Sequence, residues 1–402
     1  MTLKVLALDI EGGYGGSSRS LYETLRHLPP ESAEVTVWCR RRGPIQPRYA
    51  ALGLHAEVHP EIPNYSALPK FSRSMVDLAR EGGRWLKGRR FRKRLLEAAD
   101  EADVVHLNHE GLFLLARWLR PRTDAAIAVH VRTHLPSGAV AGWQYRILLN
   151  SVDRCVFITE NERDRVSLLT GRRPRGRVVY NVVDQATPVS PDPALAEDKR
   201  FKVAVLSNFA LVRGTDRIVE IAERLRDMGR RDIVFAVAGN MQLNGRLPGQ
   251  LGEVARRGGT LANYAAVRGV GEYFVFLGHV ERPEAVVAAS DVVAKPTREA
   301  NPWGRDILEG LAAGKPVMSV GTYNRFVETG VTGLLTVDFD AADWAREIVR
   351  LADEPERGVR MGRQGRARVA ELCNGPARAQ DLLDVWHEAV DERSRHGRRG
   401  RT

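Results

Sequence analysis

Long apolar runs are missing from this chain. Nothing approaches the roughly 18 consecutive apolar residues that cross a bilayer, and residues 1–10, MTLKVLALDI, lack the flanks of a secretory signal peptide. That segment reads instead as a first strand. Cysteine is scarce: Cys39, Cys155 and Cys373 share no metal-like spacing and make no disulfide framework, so a reducing cytoplasm is expected. The histidines lack ligand spacing, so no metal and no other cofactor is expected. Acidic residues are outnumbered, 50 against 61 Lys and Arg, and the net charge of +11 points toward anionic partners. Much of the excess is arginine, which genomic base composition also produces.

What is present is an alternation of strand and helix signals. Strands are predicted at 4–10, 35–39, 55–59, 103–107, 125–132, 154–159 and 177–180, with helices at 19–28, 111–119, 143–150 and 162–169. Residues 185–200, QATPVSPDPALAEDKR, are rich in proline and charge and read as a linker. The alternation then restarts, with strands at 201–206, 233–238, 275–277, 288–294, 316–319 and 333–337 and helices at 216–227, 303–313 and 341–352. Two such sets predict an α/β protein of two doubly wound parallel-sheet domains, 1–190 and 191–376, facing a ligand cleft. A last helix, 377–390, is expected to pack back on the first domain, ahead of a basic disordered tail, 391–402.

The stretch 294–316, AKPTREANPWGRDILEGLAAGKP, carries the chemistry. A strand leads through a polar loop into a helix stopped by Gly314 and Pro316, and a helix N-terminus directs backbone N–H groups at an anion. Glu299, Asp306 and Glu309 add acceptors suited to sugar hydroxyls. Phosphate donors beside hydroxyl acceptors are what a nucleotide sugar requires. Near the start, Glu11-Gly12-Gly13-Tyr14-Gly15-Gly16-Ser17-Ser18 links the first strand to a helix, either as a close approach to a ligand or as a bare tight turn. His134 lies in a loop after a strand, where function collects; His130 sits inside an apolar alternation and reads as structural.

Residues 84–94, RWLKGRRFRKR, mix Trp85 and Phe91 with seven cations. Such a helical segment either lies on an anionic membrane surface or packs its aromatics into the domain beneath a solvated basic face.

Several motifs, in order over nearly the whole chain, resemble retaining glycosyltransferases of the GT-B fold, family 4. GGYGG resembles the family's first loop, and NVVD at 181–184 its N-G-V-D before the linker. LSNFALVRG at 206–214 resembles G-R-L-x-x-x-K-G, and FLGHV at 276–280 resembles F-L-G-x-V. LEGLAAGKPV at 308–317 resembles L-E-A-x-A-x-G-x-P-V, and ETGVTGLL at 328–335 the family's G-x-T-G-L-L. The resemblance implies transfer of a sugar from a nucleoside-diphosphate-sugar to a saccharide or lipid-linked acceptor in cell-envelope polysaccharide synthesis. The enzyme would work in the cytoplasm or at the inner face of the membrane. It implies substrate contacts from Gly12, Gly13, Gly15, Gly16, Asn208, Gly239, Trp303, Gly304, Arg305 and Glu309, with Glu309 on the ribose. It also implies catalytic roles for His134, Arg213, and Glu299 or Asn301.

Departures from the family pattern are informative. Its usual glutamate eight residues before Glu309 is here Asn301 (309 − 301 = 8), with Glu299 two residues further back, so the role is shared between them. Asn208 replaces an arginine and Arg213 a lysine at the diphosphate; Arg217, one turn on, is expected to face solvent. A nucleotide-sugar epimerase of the same fold would want acid/base carboxylates in the first domain, where histidines stand. A nucleic-acid binder built on 84–94 would leave the nucleotide-sugar pattern unexplained, so nucleic acid is not an expected partner.

Overall fold

Among the described residues thirteen short segments, most of them apolar, become strands, and every pairing between these strands is parallel. The computed structural model describes residues 2–66, 68, 75–133, 138–183, 189–244 and 246–399, without the side chains of 75–78 and 396–399. It divides into two units, Met1–Val182 with Cys373–Thr402, and Val183–Leu372. The boundaries expected at 190 and 376 therefore move to 182 and 372.

The first unit holds β1 (Leu3–Asp9), β2 (Ala33–Cys39), β3 (His55–Val58), β4 (Val104–Leu107), β5 (Ala126–Val131), β6 (Arg154–Phe157) and β7 (Gly176–Val178), in the spatial order β3-β2-β1-β4-β5-β6-β7. Helices cover both faces, so the strands are buried on both sides and read as near-continuous apolar runs. Leu6, Leu8, Val105, Leu107 and Ile127 pack on one face. Val5, Ala7, Val37 and Ala128 pack on the other, against Leu382 and Trp386 of the terminal helix.

That helix spans Gly375–Arg399 and does not stop at 390. The expected disordered tail is helical through 399 because its side chains have partners: Glu392 pairs with Arg154 at 3.3 Å and with Arg175, and Arg393 donates to the Thr123 carbonyl at 2.6 Å.

The basic segment forms the end of one helix, Met75–Lys87, and the start of the next, Arg89–Asp100. Its aromatics turn inward. Phe91 is buried against Trp38 and His59, with centroids 6.1 and 5.8 Å away, and Trp85 stands edge-on to Trp118 at 5.2 Å. Arg84, Lys87, Arg89, Arg90, Lys93 and Arg94 remain exposed. Of the two readings of this segment, the packed one holds for the aromatics: Phe91 is in the first core and Trp85 packs against it, so neither is free to enter a bilayer.

The second unit holds β8 (Phe201–Leu206), β9 (Ile233–Ala238), β10 (Phe274–Gly278), β11 (Val292–Lys295), β12 (Val317–Val320) and β13 (Gly333–Thr336), in the order β10-β9-β8-β11-β12-β13. The single strand expected over 288–294 is the end of a helix, Pro283–Ala288, followed by β11. Ser290 and Asp291 make the break, Asp291 accepting the Lys202 N–H at 2.7 Å. A further helix, Pro355–Leu372, was not anticipated. Cβ atoms on its Gly362 and Gly365 would collide with the Gly314 carbonyl and with Leu311. These glycines let it lie directly against the helix Arg305–Ala312.

Candidate active site

In an open doubly wound sheet, ligands bind beyond the strand C-termini where the strand order reverses. In the second unit that point lies between β8 and β11. β8 runs into the loop 207–214, and β11 into the loop 296–304 that enters the helix Arg305–Ala312. Glycine brings these loops together. Gly214, at φ +72°, sits where a Cβ would strike the Pro296 carbonyl, and a Cβ on Gly239, at φ +137°, would strike the Ser207 carbonyl. Gly239 thus serves packing between strand ends.

Two arginines lock the contact. Arg298 grips both oxygens of Asp216 at 2.7 Å and donates to the Leu211 carbonyl at 2.6 Å. Arg217 donates to the Pro296 and Thr297 carbonyls, each at 3.0 Å, and burial, with Arg298 nearby, lowers its pKa. The solvent-facing role expected of Arg217 is corrected; it fastens the loop.

Arg213 remains exposed, donating to Ser207 Oγ at 3.0 Å. Asn208 is also exposed, but its Oδ1 accepts the Asn240 N–H at 2.8 Å, tying β8 to β9. In the next loop the Glu299 N–H donates to Thr297 Oγ1 at 3.0 Å. Ala300 then takes φ +48°, a left-handed conformation that a Cβ disfavours. Gly321 makes room for it: a Cβ there would sit 3.1 Å from the Ala300 carbonyl oxygen and 2.9 Å from Pro302. This turn carries Asn301, whose Oδ1 is buried and accepts no hydrogen bond among the described residues. Trp303 is buried beneath, edge-on to Tyr323 at 5.3 Å.

Gly304 caps the helix without a side chain, and Arg305 reaches Glu309 Oε1 at 3.1 Å one turn on. Asp306 was expected to face a sugar. Its Oδ1 instead accepts from Lys295 Nζ and from the Ile307 N–H, both at 3.0 Å.

In the first unit the order reverses between β1 and β4. A Cβ on Gly12 would collide with the Arg41 carbonyl, so Gly12 is a packing residue. Gly13, Gly15 and Gly16 meet nothing within 4 Å. Tyr14 pins the loop, donating to Glu23 at 2.9 Å beneath the Arg48 guanidinium, 3.7 Å from its ring centroid.

Below lies a polar chain that the spacing gave no hint of. Asn108 donates to Asp9 at 3.3 Å and accepts from Arg132 at 2.6 Å; Arg132 also reaches Asn181 at 3.3 Å and His130 Nδ1 at 3.1 Å. His130 Nδ1 lies 3.3 Å from His106 Nε2, and the Trp386 indole donates to His106 Nδ1 at 3.1 Å. Indole and guanidinium only donate, so His106 Nδ1 and His130 Nδ1 both accept, and the proton of His106 is on Nε2. Burial pushes His106 down to about 3, with Arg132 adding to it, and holds His130 well below its ordinary value. His134 lies outside the described residues.

The residues brought together at the second reversal are Arg213, Asn208, Glu299, Asn301, Trp303, Gly304, Arg305 and Glu309. Sequence reasoning missed Lys295, whose one signal is a charge ending an apolar strand, and Arg298, whose partner lies 82 positions away. The expectation that the chain has no Asp-x-Asp is corrected: Asp338-Phe339-Asp340 is one, with Asp340 capping the helix Ala341–Asp353 by accepting the Asp343 N–H at 2.8 Å.

Comparison with known proteins bears on both units. Residues 15–182 match a family described as glycosyl transferase 4-like domain, and residues 200–354 match glycosyl transferases group 1. The chain is 27% identical over 330 residues to the D-inositol 3-phosphate glycosyltransferase of Salinispora tropica, covering 75% of this chain and 67% of that protein. It is 25% identical over 402 residues to the enzyme of the same name from Thermobispora bispora, covering 94% and 91%. Among solved structures, Anabaena Alr3699/HepE in complex with UDP-glucose superposes with a TM-score of 0.72 at 17% identity, covering 95% of this chain and 98% of that one.

Proposed function

The chain belongs to the GT-B glycosyltransferases of the family 4 type, and we propose that it moves a sugar from a nucleoside-diphosphate-sugar to an acceptor with retention at the anomeric carbon. The bond from the anomeric carbon to the diphosphate breaks, with its electron pair leaving on a phosphate oxygen. Fixed donors facing that developing charge lower the barrier. Arg213 and Arg305 supply cations, and the N–H groups at the start of the helix Arg305–Ala312 supply dipoles. Glu309 accepts from the ribose hydroxyls, and Arg305 orients it. No metal takes part in this scheme.

The observation that carries the reading is Asn301. A buried acceptor without a donor costs about 1–3 kcal/mol, and this one stands on a turn already strained at Ala300. A hydroxyl of the transferred sugar satisfies it, so the sugar-holding role goes to Asn301 and its neighbour Glu299 supports the turn. The relatives named for D-inositol 3-phosphate and the neighbour solved with UDP-glucose lend support to a sugar donor and a polyhydroxylated acceptor.

The acceptor we favour is a lipid-linked saccharide or glycolipid met at an anionic membrane surface on the cytoplasmic side. Support comes from the exposed cations between Arg84 and Arg94 and from Leu86, 73% exposed among them. Each Lys or Arg held near an anionic leaflet contributes about 1 kcal/mol. Among the described residues no helix is long and apolar enough to cross a membrane.

The test is calorimetry with UDP, GDP and ADP, then release of the free nucleotide from the matching glucose donor with and without a polyol or glycolipid acceptor. Binding of one diphosphate, with acceptor-dependent release, is expected; a rearranged sugar without transfer overturns the reading.

A further inference from the structure

Lys295 puts a charge at the end of an otherwise apolar strand. Its side chain is 15% exposed and pairs with Asp306, 21% exposed, at 3.0 Å. Largely buried ion pairs stabilise poorly, because apolar side chains of similar volume do as well or better. Stability alone therefore gives little reason for this pair.

Its position gives a better one. Side chains two apart on a strand share a face. Val293 packs against Gly310 of the helix Arg305–Ala312, and Lys295, two residues on, comes to the first turn of that helix. The ammonium lies against Gly304, in the space that a Cβ there would take. The ammonium thus stands at the end of β11, beside β8, where the sheet reverses. Asp306 cannot swing away freely, since the same oxygen caps the Ile307 N–H. The other groups that would meet a diphosphate are partly committed. Asn208 carries no charge and serves Asn240, and Arg305 is engaged with Glu309.

We propose that Lys295 is a donor-phosphate residue: its ammonium, held by Asp306, donates to the terminal phosphate of the nucleoside diphosphate. It adds to Arg213 and Arg305 a further cation, where Asn208 carries no charge. This rests on the nucleotide-sugar reading above. No proton is transferred; the ammonium hydrogen-bonds the phosphate oxygen before and after the sugar leaves.

The test uses the full chain, the diphosphate preferred in the UDP, GDP and ADP panel, and the monophosphate of the same base. Variants are Lys295→Met, which orphans Asp306, and Lys295→Met/Asp306→Leu, which removes the pair and restores an apolar contact. Charge-assisted hydrogen bonds correspond to about a ten- to hundredfold change in affinity. The double variant should melt at or above the wild-type temperature, lose about that factor in diphosphate affinity, and keep its monophosphate affinity. Turnover should fall at least as far. If the double variant binds diphosphate and turns over within about twofold of wild type, the pair is structural and the inference fails alone. If wild type binds none of the three diphosphates, the donor reading fails and takes this inference with it. Should the double variant not fold, Lys295→Gln carries the same comparison of di- and monophosphate.

Discussion

Acid should weaken the first unit, and His106 sets the size of the effect. In the fold His106 Nδ1 accepts from an indole N–H and its Nε2–H faces His130 Nδ1, so a second proton on His106 would set N–H against N–H. Its pKa falls from 6.5 to about 3 by burial, with Arg132 contributing. A depressed histidine pKa means that the unfolded chain binds more protons than the fold between those two values. Stability is then complete above about pH 7 and declines as pH drops below 6.5. At pH 5 the unfolded histidine gains about 2 kcal/mol from protonation that the folded one forgoes. His130, lowered by burial and by Arg132, adds a contribution of the same sign.

The assay is urea unfolding at pH 7.5 and pH 5.0, followed by tryptophan fluorescence. Trp38, Trp85, Trp118, Trp143 and Trp386, five of the seven tryptophans, lie in the first unit and dominate its signal. Other histidines titrate too, so the informative quantity is the difference between wild type and His106→Asn, whose amide still accepts from Trp386. The variant should be less stable at pH 7.5 yet lose about 2 kcal/mol less than wild type on acidification. Equal losses in both proteins would refute the assignment of neutral, mutually bonded imidazoles.

Four shorter predictions follow from the same geometry. Glu309→Ala should weaken nucleotide binding by about 1–3 kcal/mol with the fold kept; unchanged affinity by calorimetry removes Glu309 from the site. Arg213→Ala should cut turnover without moving Tm, whereas Arg217→Ala should lower Tm by freeing the Pro296 and Thr297 carbonyls; differential scanning calorimetry beside a rate assay separates them. Gly362→Ala forces a Cβ onto the Gly314 carbonyl and should cost the second unit about 1–3 kcal/mol or more; an unchanged melting temperature denies that close approach. Vesicles of anionic lipid should pellet the protein at low salt and release it at high salt; equal pelleting with neutral lipid discards the membrane surface as a partner.

How much of this was legible depends on whether the cause lay close in sequence. Strands such as β5, AIAVHV, and β9, IVFAVA, are buried on both faces, and their continuous apolar runs marked a parallel sheet in advance. Continuity also misled: VVAASDVVAK kept its apolar character across Ser290-Asp291, and a helix end and a strand merged into one predicted strand. The helix Pro355–Leu372 was not predicted, and it contains Gly358, Gly362 and Gly365, residues of low helix propensity. Two of them are there because another backbone or a leucine side chain comes too close for a Cβ, and that neighbour is about 50 residues upstream.

The candidate site divides along the same line. Arg305 and Glu309 are i and i+4 on one helix, so their contact follows from helical geometry. Asn301 was flagged by counting back from Glu309, but counting could not say whether Asn301 or Glu299 points inward. Asn301 Oδ1 is turned into the interior by the turn at Ala300, φ +48°, which Gly321, on another strand's exit, makes possible. Arg213 was read from the sequence as a diphosphate residue and Arg217, one turn on, as solvent-facing. Only the Pro296 and Thr297 carbonyls, some eighty residues on, turn the second into a fastener, while the first stays exposed. Spacing along the chain therefore pointed to the sheet reversal, while the contacts of each side chain there are set by the loop facing it. Lys295 is the extreme case: its partner Asp306 was in view from the start, but as an acceptor for sugar, because nothing in the intervening residues shows that Gly304 leaves an ammonium room to reach it.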